Sequence, residues 1–440
     1  MKTNILKKLS VVLLFAMSPA LFACGDDDKK DEPTASTTDT TSVTPSEQQS
    51  DAPKITTTFT AMDIAKNMYP GWNLGNTLEA SGTGLNCETE WQSTVTTQEI
   101  IDFVKTSGFK SVRIPCSWYI HLSDANSITI DKEWINRVKE VVDYCINDGL
   151  YVLLNDHYDS GWLEVLGYSN STSTYSEVGE SLINAKINVL KKIWTQIANE
   201  FKNYDGHLIF AGQNEPFQNY DVFDKNLSNK ATTLSPILNR YNQAFVDAVR
   251  ATGGNNANRI LTVQAPGADM WGAQNTAFVL PTDTRENGLM LEFHYYNPWN
   301  FAGGSGEYYW GADNKADKYY VTYATDESYV KSEFAKMKTK YADKGIPMLI
   351  GEYGANWRDL SGVSDADQDK HDASIKAWFK AISQYGPESG MIPMVWDINS
   401  PNQNGTIGTM TVIDRANLKI FCKPAFEGIT EGTAAASWPY

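Results

Sequence analysis

Eight near-continuous apolar runs, most followed by a stretch of helical periodicity, constrain the fold of this chain more than any other feature. The runs lie at 69–76, 111–115, 151–155, 208–215, 259–263, 289–294, 347–352 and 391–396. Runs of this length suit parallel strands buried on both faces. Helical periodicity fills 97–107, 131–148, 181–204, 237–252, 328–344 and 372–385. Gly108, Gly149, Gly253 and Gly345 close four of these segments, as helix C-termini prefer. Alternation of strand and helix implies a parallel sheet. Eight repeats favour an α/β fold of the (β/α)8 TIM-barrel type, a single domain, over an open doubly wound sheet. Neither G-x-G-x-x-G nor G-x-x-x-x-G-K-[ST] joins a strand to a helix, which weakens any nucleotide-binding reading.

The residues before the first run read as an address and a tether. Lys2, Lys7 and Lys8 precede an apolar stretch at 9–23 that is too short to span a bilayer, so 1–23 reads as an export signal. It ends in Leu21-Phe22-Ala23-Cys24-Gly25. A small residue before Cys resembles a lipobox, with Cys24 the lipidated residue, although Phe22 is bulkier than usual there. Asp26-Asp27-Asp28 resembles the acidic export signal of Bacteroidetes surface lipoproteins. The expected location is therefore the outer membrane, facing outward, with membrane contact only through the lipid; ordinary secretion or a periplasmic location is the alternative. Residues 24–55 are rich in Asp, Thr, Ser and Pro and lack apolar periodicity, so they read as a disordered linker before a domain at 56–440. Cys87, Cys116, Cys145 and Cys422 are dispersed; their spacing selects no disulfide pairing, and buried free thiols fit equally.

Charge and composition narrow the partners. A net charge of −16 argues against nucleic acid and against attraction to anionic lipid. Aromatic residues make up 12% of the chain, which fits either a large aromatic core or a surface that stacks on flat neutral ligands such as sugars. Nothing implies a cofactor, and no obvious assembly segment is present, so a monomer is expected.

Barrels of this type carry their active sites at the carboxyl ends of the strands. The runs end in Asn73 and Asn76, Arg113, Asn155-Asp156-His157, Asn214-Glu215-Pro216, His294-Tyr295-Tyr296, Glu352-Tyr353 and Trp396-Asp397. Glu215 and Glu352 occupy matching positions on the fourth and seventh runs. No strand end offers the ligand set typical of a catalytic zinc, although His157 and His294 with Glu352 come nearest. Paired carboxylates in one cleft are what glycoside hydrolysis needs, one protonated and one ionised. Glu352 would face Arg113, and a nearby cation favours its charged form.

These residues bring a family resemblance into view. Gly71-Trp72-Asn73-Leu74-Gly75-Asn76-Thr77-Leu78, Glu88-Thr89-Glu90-Trp91, Val112-Arg113-Ile114-Pro115, Asn214-Glu215-Pro216, His294-Tyr295-Tyr296 and Gly351-Glu352-Tyr353-Gly354 resemble glycoside hydrolase family 5, and within it the subfamily 4 endoglucanases and xyloglucanases. The resemblance runs in order over residues ~60–430. It implies a retaining endo-β-1,4-glucanase, cellulase-like, acting on cellulose-type glucan, xyloglucan or mixed-linkage glucan. By similarity Glu215 is the acid/base and Glu352 the nucleophile. Arg113 and Tyr296 would orient Glu352, and Asn214 would bond the 2-hydroxyl of the −1 sugar. His157 and His294 would be the site histidines, Trp396 the −1 platform, and Asn76 a glycone contact. Trp91, Trp118, Trp162, Trp271, Trp299, Trp310 and Trp357 are candidates for the cleft floor, and the loop at 307–320 for the aglycone wall. The chain departs from many relatives at Tyr158, in Glu90-Trp91-Gln92-Ser93 and at Phe217. Those departures bear on preference, so mannan or xylan stay open as substrates. A non-catalytic glycan-binding lipoprotein is the competing class.

Overall fold

A computed structural model describes residue 55 and residues 59–164, 166–169, 174–177, 179–217, 228–403 and 405–440. The segment expected to be an export signal, Cys24 and nearly all of the expected linker lie outside the described residues. Each of the eight runs forms a strand: β1 Gly71–Asn73, β2 Ser111–Ile114, β3 Tyr151–Asn155, β4 Leu208–Ala211, β5 Leu261–Asp269, β6 Leu289–Tyr295, β7 Met348–Tyr353 and β8 Met391–Val395. All pair in parallel, and β8 returns to β1 to close the barrel.

The helices of the outer ring are α1 Gln98–Thr106, α2 Lys132–Asn147, α3 Glu180–Glu200, α4 Ser228–Ala251, α5 Met270–Gln274, α6 Glu327–Lys340, α7 Gln368–Glu388 and α8 Lys423–Ala435. Six match the segments expected from periodicity. α4 starts earlier than expected and runs through Pro236. The expected list omits α5, a single short turn-like helix, and α8. α8 lies against α7 through Gly428 and Gly432, where an added Cβ would meet the Lys376 and Lys380 carbonyl oxygens at 2.4 Å. Its buried face, Ala425, Gly428, Ile429 and Gly432, has helical spacing but a single large apolar side chain. Among the described residues no helix is long and apolar enough to cross a membrane.

Strand alternation sorts the barrel into layers, because residues two apart share a face. Leu153, Ile209, Met290, Leu349, Ile392 and Met394 fill the lower interior, and Ala61, Ile64 and Ala65 plug it from below. Those three belong to a short helix, Ala61–Ala65, whose capping box joins Thr60 and Asp63 reciprocally. One step further along the strands the interior turns polar: Asn73, Arg113, Asn155, Gln264 and Glu292 are all buried. The outward faces, among them Val112, Leu154, Phe210, Phe293 and Ile350, pack under the helices. The four cysteines are free and buried among them, and burial pushes the Cys87 and Cys422 thiols up to about 12.

A second device closes the mouth where β8 meets β1. Trp72 Nε1 donates to Asp397 Oδ2 at 2.9 Å, and the same oxygen accepts the Ile413 N–H at 2.9 Å. Arg415 stacks over the Trp72 ring at 4.9 Å and donates to the Asp397 carbonyl at 2.6 Å. Asp397, a strand-end carboxylate by sequence, is thus consumed by structure. Breaking a buried charged group away from its partners costs ~3–5 kcal/mol. Asp397→Ala is therefore expected to lower unfolding stability by about that much in a denaturant titration, and Asp397→Asn by less.

Candidate active site

At the carboxyl ends of the strands one guanidinium gathers the polar layer. Arg113, fully buried on β2, donates from Nη1 to Glu352 Oε1 at 2.9 Å and to Asn73 Oδ1 at 3.0 Å, and from Nη2 to Asn214 Oδ1 at 2.6 Å. Its Nε stands 2.9 Å from Glu292 Oε1, an ion-pair contact off the N–H axis. Asn73 is itself fixed by donating to the carbonyls of Gly351, Met394 and Val395 at 2.9 to 3.2 Å. A rigid fork of donors suits this many-partner role in a way a lysine ammonium does not.

Glu352 reaches the site through an irregularity in β7. The register moves from Phe293↔Ile350 to His294↔Glu352, so Gly351 is an extra residue opposite β6. Strict alternation from Leu349 would turn Glu352 outward with Ile350; the bulge turns it inward. There Tyr296 Oη donates to Oε2 at 2.9 Å while Arg113 holds Oε1. Sequence reasoning expected Arg113 to favour the charged form of Glu352. The contact is present, but burial outweighs it: desolvation pushes the carboxyl above its ordinary 4.5, His294 and Arg113 pull it back, and the Glu215 charge adds to the rise.

Glu215 follows β4 and lies partly open to the cleft. Its Oε1 sits 2.6 Å from His294 Nδ1, and the same nitrogen is 3.5 Å from Glu352 Oε2. One oxygen of each carboxylate and one ring nitrogen all lie within 4.8 Å of one another. Burial lowers the basicity of His294, but the charges of Glu352 and Glu215 more than reverse this and raise its pKa to about 9. At neutral pH His294 is an imidazolium between two carboxyl groups. With its ring nitrogens committed to carboxylates as a donor, it is no metal ligand in this state. His157 is the opposite case: burial, then Arg113 and His294, push it well below its ordinary 6.5, so it is neutral. Its ring lies parallel to Trp396 at 5.9 Å and 5°.

The structure brings Arg113, His157, Asn214, Glu215, His294, Tyr296, Glu352 and Trp396 to one mouth. Asn76 is half-buried in left-handed backbone (φ 57°) with its N–H accepted by Glu79. Trp91 is 45% exposed on the rim of a polar pocket of ≈ 520 Å³ between the loops after β1 and β8, which Gln92, Asn402 and Asn417 also line. Trp299 is exposed beside Tyr296 at 6.1 Å. Trp118, Trp162 and Trp310 are buried and plug loops onto the barrel, so they form no cleft floor. Trp271 and Trp357 are half-buried. The loop expected to wall the aglycone side folds Tyr308 and Tyr309 onto Leu360 and Tyr319 in a small core of its own. Phe217 is buried against Tyr241, and Tyr158 is exposed. Sequence reasoning missed Glu292 and Gln264. Both sit inside apolar runs or at their ends, and the one signal was Glu292 two residues before His294 on the same strand face.

The chain matches the family described as Cellulase (glycosyl hydrolase family 5) over residues 75–402. It is 34% identical to "Endoglucanase A" of Paenibacillus barcinonensis over 359 residues, 79% of this chain and 84% of that protein. It is 36% identical to "Endoglucanase B" of Ruminococcus albus, over 69% of this chain and 67% of that one. Among solved structures it resembles a family 5 xyloglucan-specific β-1,4-glucanase from a ruminal metagenomic library, in complex with XXLG. That likeness has 52% identity and a TM-score of 0.79, covering 87% of this chain and 98% of the other. A family 5 xyloglucanase from Bacteroides ovatus in complex with a XXXG heptasaccharide resembles it at 27% identity and a TM-score of 0.74, over 89% of this chain and 80% of that one. This chain belongs to glycosyl hydrolase family 5, the cellulase family.

Proposed function

We propose that this protein is a retaining endo-β-1,4-glucanase of the subfamily 4 type, with xyloglucan its foremost substrate and unbranched and mixed-linkage glucans accepted. The observation that carries the mechanism is the approach of Glu215 and Glu352 to within 4.8 Å, oxygen to oxygen. That close approach favours the ~5–5.5 Å carboxyl separation of retaining pairs over the ~6.5–9.5 Å of inverting ones. The 52% identical structure carries the substrate preference, and the polar pocket beside Trp91 offers room for a decorated glycone.

In this reading Glu352, oriented by Arg113 and Tyr296, attacks the anomeric carbon as the glycosidic bond breaks. Glu215 gives its proton to the leaving oxygen, and His294 holds its carboxyl in place. A glycosyl ester on Glu352 results. Water then attacks the anomeric carbon, Glu215 takes the water's proton, and Glu352 leaves as carboxylate. Asn214 has its carbonyl oxygen occupied by Arg113, so its amide N–H faces the sugar's 2-hydroxyl. Trp396 supplies the flat apolar face under the −1 sugar. The N-terminal address belongs to the same proposal: lipid on Cys24 would hold the enzyme, as a monomer, on the outer membrane.

Purified protein offered xyloglucan, carboxymethyl-cellulose, mixed-linkage glucan, glucomannan and xylan should release reducing ends fastest from xyloglucan. Glu215→Ala and Glu352→Gln should lose at least roughly a thousandfold in rate, with oligosaccharide binding kept by Glu352→Gln. Cutting confined to mannan or xylan would overturn the specificity, and binding without cutting would favour the glycan-capture class. The pH profile of kcat/KM should be a bell. Glu352 must be ionised and its pKa is raised, so activity falls on acidification at a pH above 4.5. The basic limb should be complete near the loss of the His294 proton at about 9. Metabolic labelling with an alkyne fatty acid should mark the native protein and not Cys24→Ala.

A further inference from the structure

The reading above uses two carboxylates, but the mouth of the barrel contains a third. Glu292 is fully buried on β6, directly beneath the pair. Its Oε1 contacts Arg113 Nε at 2.9 Å and His294 Nε2 at 3.4 Å, and its Oε2 accepts Gln264 Nε2 at 2.8 Å. The fold reserves space for it. An added Cβ on Gly351 would meet Glu292 Oε1 at 2.1 Å, so only glycine fits the bulge that also delivers Glu352.

The consequence lies in the His294 ring. Nδ1 faces Glu215 and Nε2 faces Glu292, so both nitrogens have a carboxylate acceptor. A neutral imidazole has one N–H, and only the imidazolium donates to both. The charged neighbours are then Arg113 and His294 on one side, and Glu292 and Glu352 on the other. His157 is neutral, Tyr296 is a phenol, and Asp269, beside His294 in register, accepts the Trp271 N–H at 2.7 Å. Without Glu292 the imidazolium would lose the anion and the acceptor at Nε2 and would give up its proton more readily.

We propose that Glu292 is a positioning residue that holds His294 as an imidazolium, so that the ring keeps one N–H on the Glu215 carboxylate while Glu292 holds the other. This rests on the retaining reading above. Glu292 touches no sugar and acts only through Arg113 and His294. Although burial works against its own charge, Arg113 and His294 more than offset this and hold its carboxyl below the usual range.

The test is Glu292→Gln, which preserves shape and removes the charge. Loss of an anion lowers the pH at which the cluster gives up its proton, so the basic limb of kcat/KM should move down by about 1 unit or more. The loss in rate should therefore grow as pH rises, with KM little changed. A uniform fall with the limb unmoved would show a merely structural role and overturn the proposal. The native enzyme gives a second measurement that needs no variant. With five histidines in the chain, the His294 ring nitrogens can be followed by 15N NMR. Imidazolium shifts at pH 7.5 are expected, and a neutral ring there overturns the proposal whether or not Glu292→Gln folds. That titration also stands apart from the substrate panel, so failure to cut glucan and failure of this proposal can be told apart.

Discussion

A guanidinium buried inside a closed barrel is the constraint around which the rest of this site is arranged. Removing a cation from water costs several kcal/mol unless it is paired and hydrogen-bonded. Arg113 meets that cost with Glu352, Glu292, Asn73 and Asn214, contributed by β1, β6, β7 and the turn after β4. Each partner is thereby fixed in position. Glu352 is aimed by two donors, and Asn214 has its amide turned outward. In the mechanism proposed above, the same geometry that makes Arg113 tolerable in the interior preorganises the reacting groups, so little reorganisation is left for the moment of reaction.

The scaffold contributes through irregularity as well as regularity. The lower barrel is ordinary, with apolar layers of Leu153, Ile209, Met290 and Leu349. At the upper rim β7 takes on an extra residue at Gly351, and β5 takes on extra residues between Gln264 and Asp269 opposite the regular step from Glu292 to His294. The extra residue in β7 turns Glu352 inward toward His294 and Glu292, which share a face of β6 by ordinary alternation. Polar residues that lie further out, such as Asp397 with Trp72 and Arg415, keep the β1–β8 side of the mouth shut and the loop bearing Trp396 in place.

Much of this was legible in the sequence. The eight apolar runs announced the strands because parallel strands buried on both faces need continuous apolar residues. The strand-end positions announced Arg113, Glu215, His294 and Glu352 because polar residues terminating such runs have only the mouth to occupy. What escaped was set by tertiary contacts. Glu292 lies inside Leu289-Met290-Leu291-Glu292-Phe293 and reads as one polar residue in a strand, since nothing local shows that Arg113 and His294 wait for it. The bulge at Gly351 has no local mark except the glycine. α8 was missed because its buried face, Ala425, Gly428, Ile429 and Gly432, is small but for Ile429, and the two glycines bring it close to α7. Trp118, Trp162 and Trp310 misled for the converse reason: a loop Trp serves equally as a sugar platform or as a plug, and burial decides which.

In the mechanism proposed above, Glu352 bonds covalently to the sugar, and a Glu215 oxygen lies within 4.8 Å of one of its own. The most direct measurement is the configuration of the newly formed reducing end, followed by 1H NMR in the first minutes of hydrolysis of a β-glucan oligosaccharide. Initial release of the β-anomer, with the α-anomer growing in only by mutarotation, is the predicted result. Initial release of the α-anomer would mean a single inverting displacement and would contradict the account.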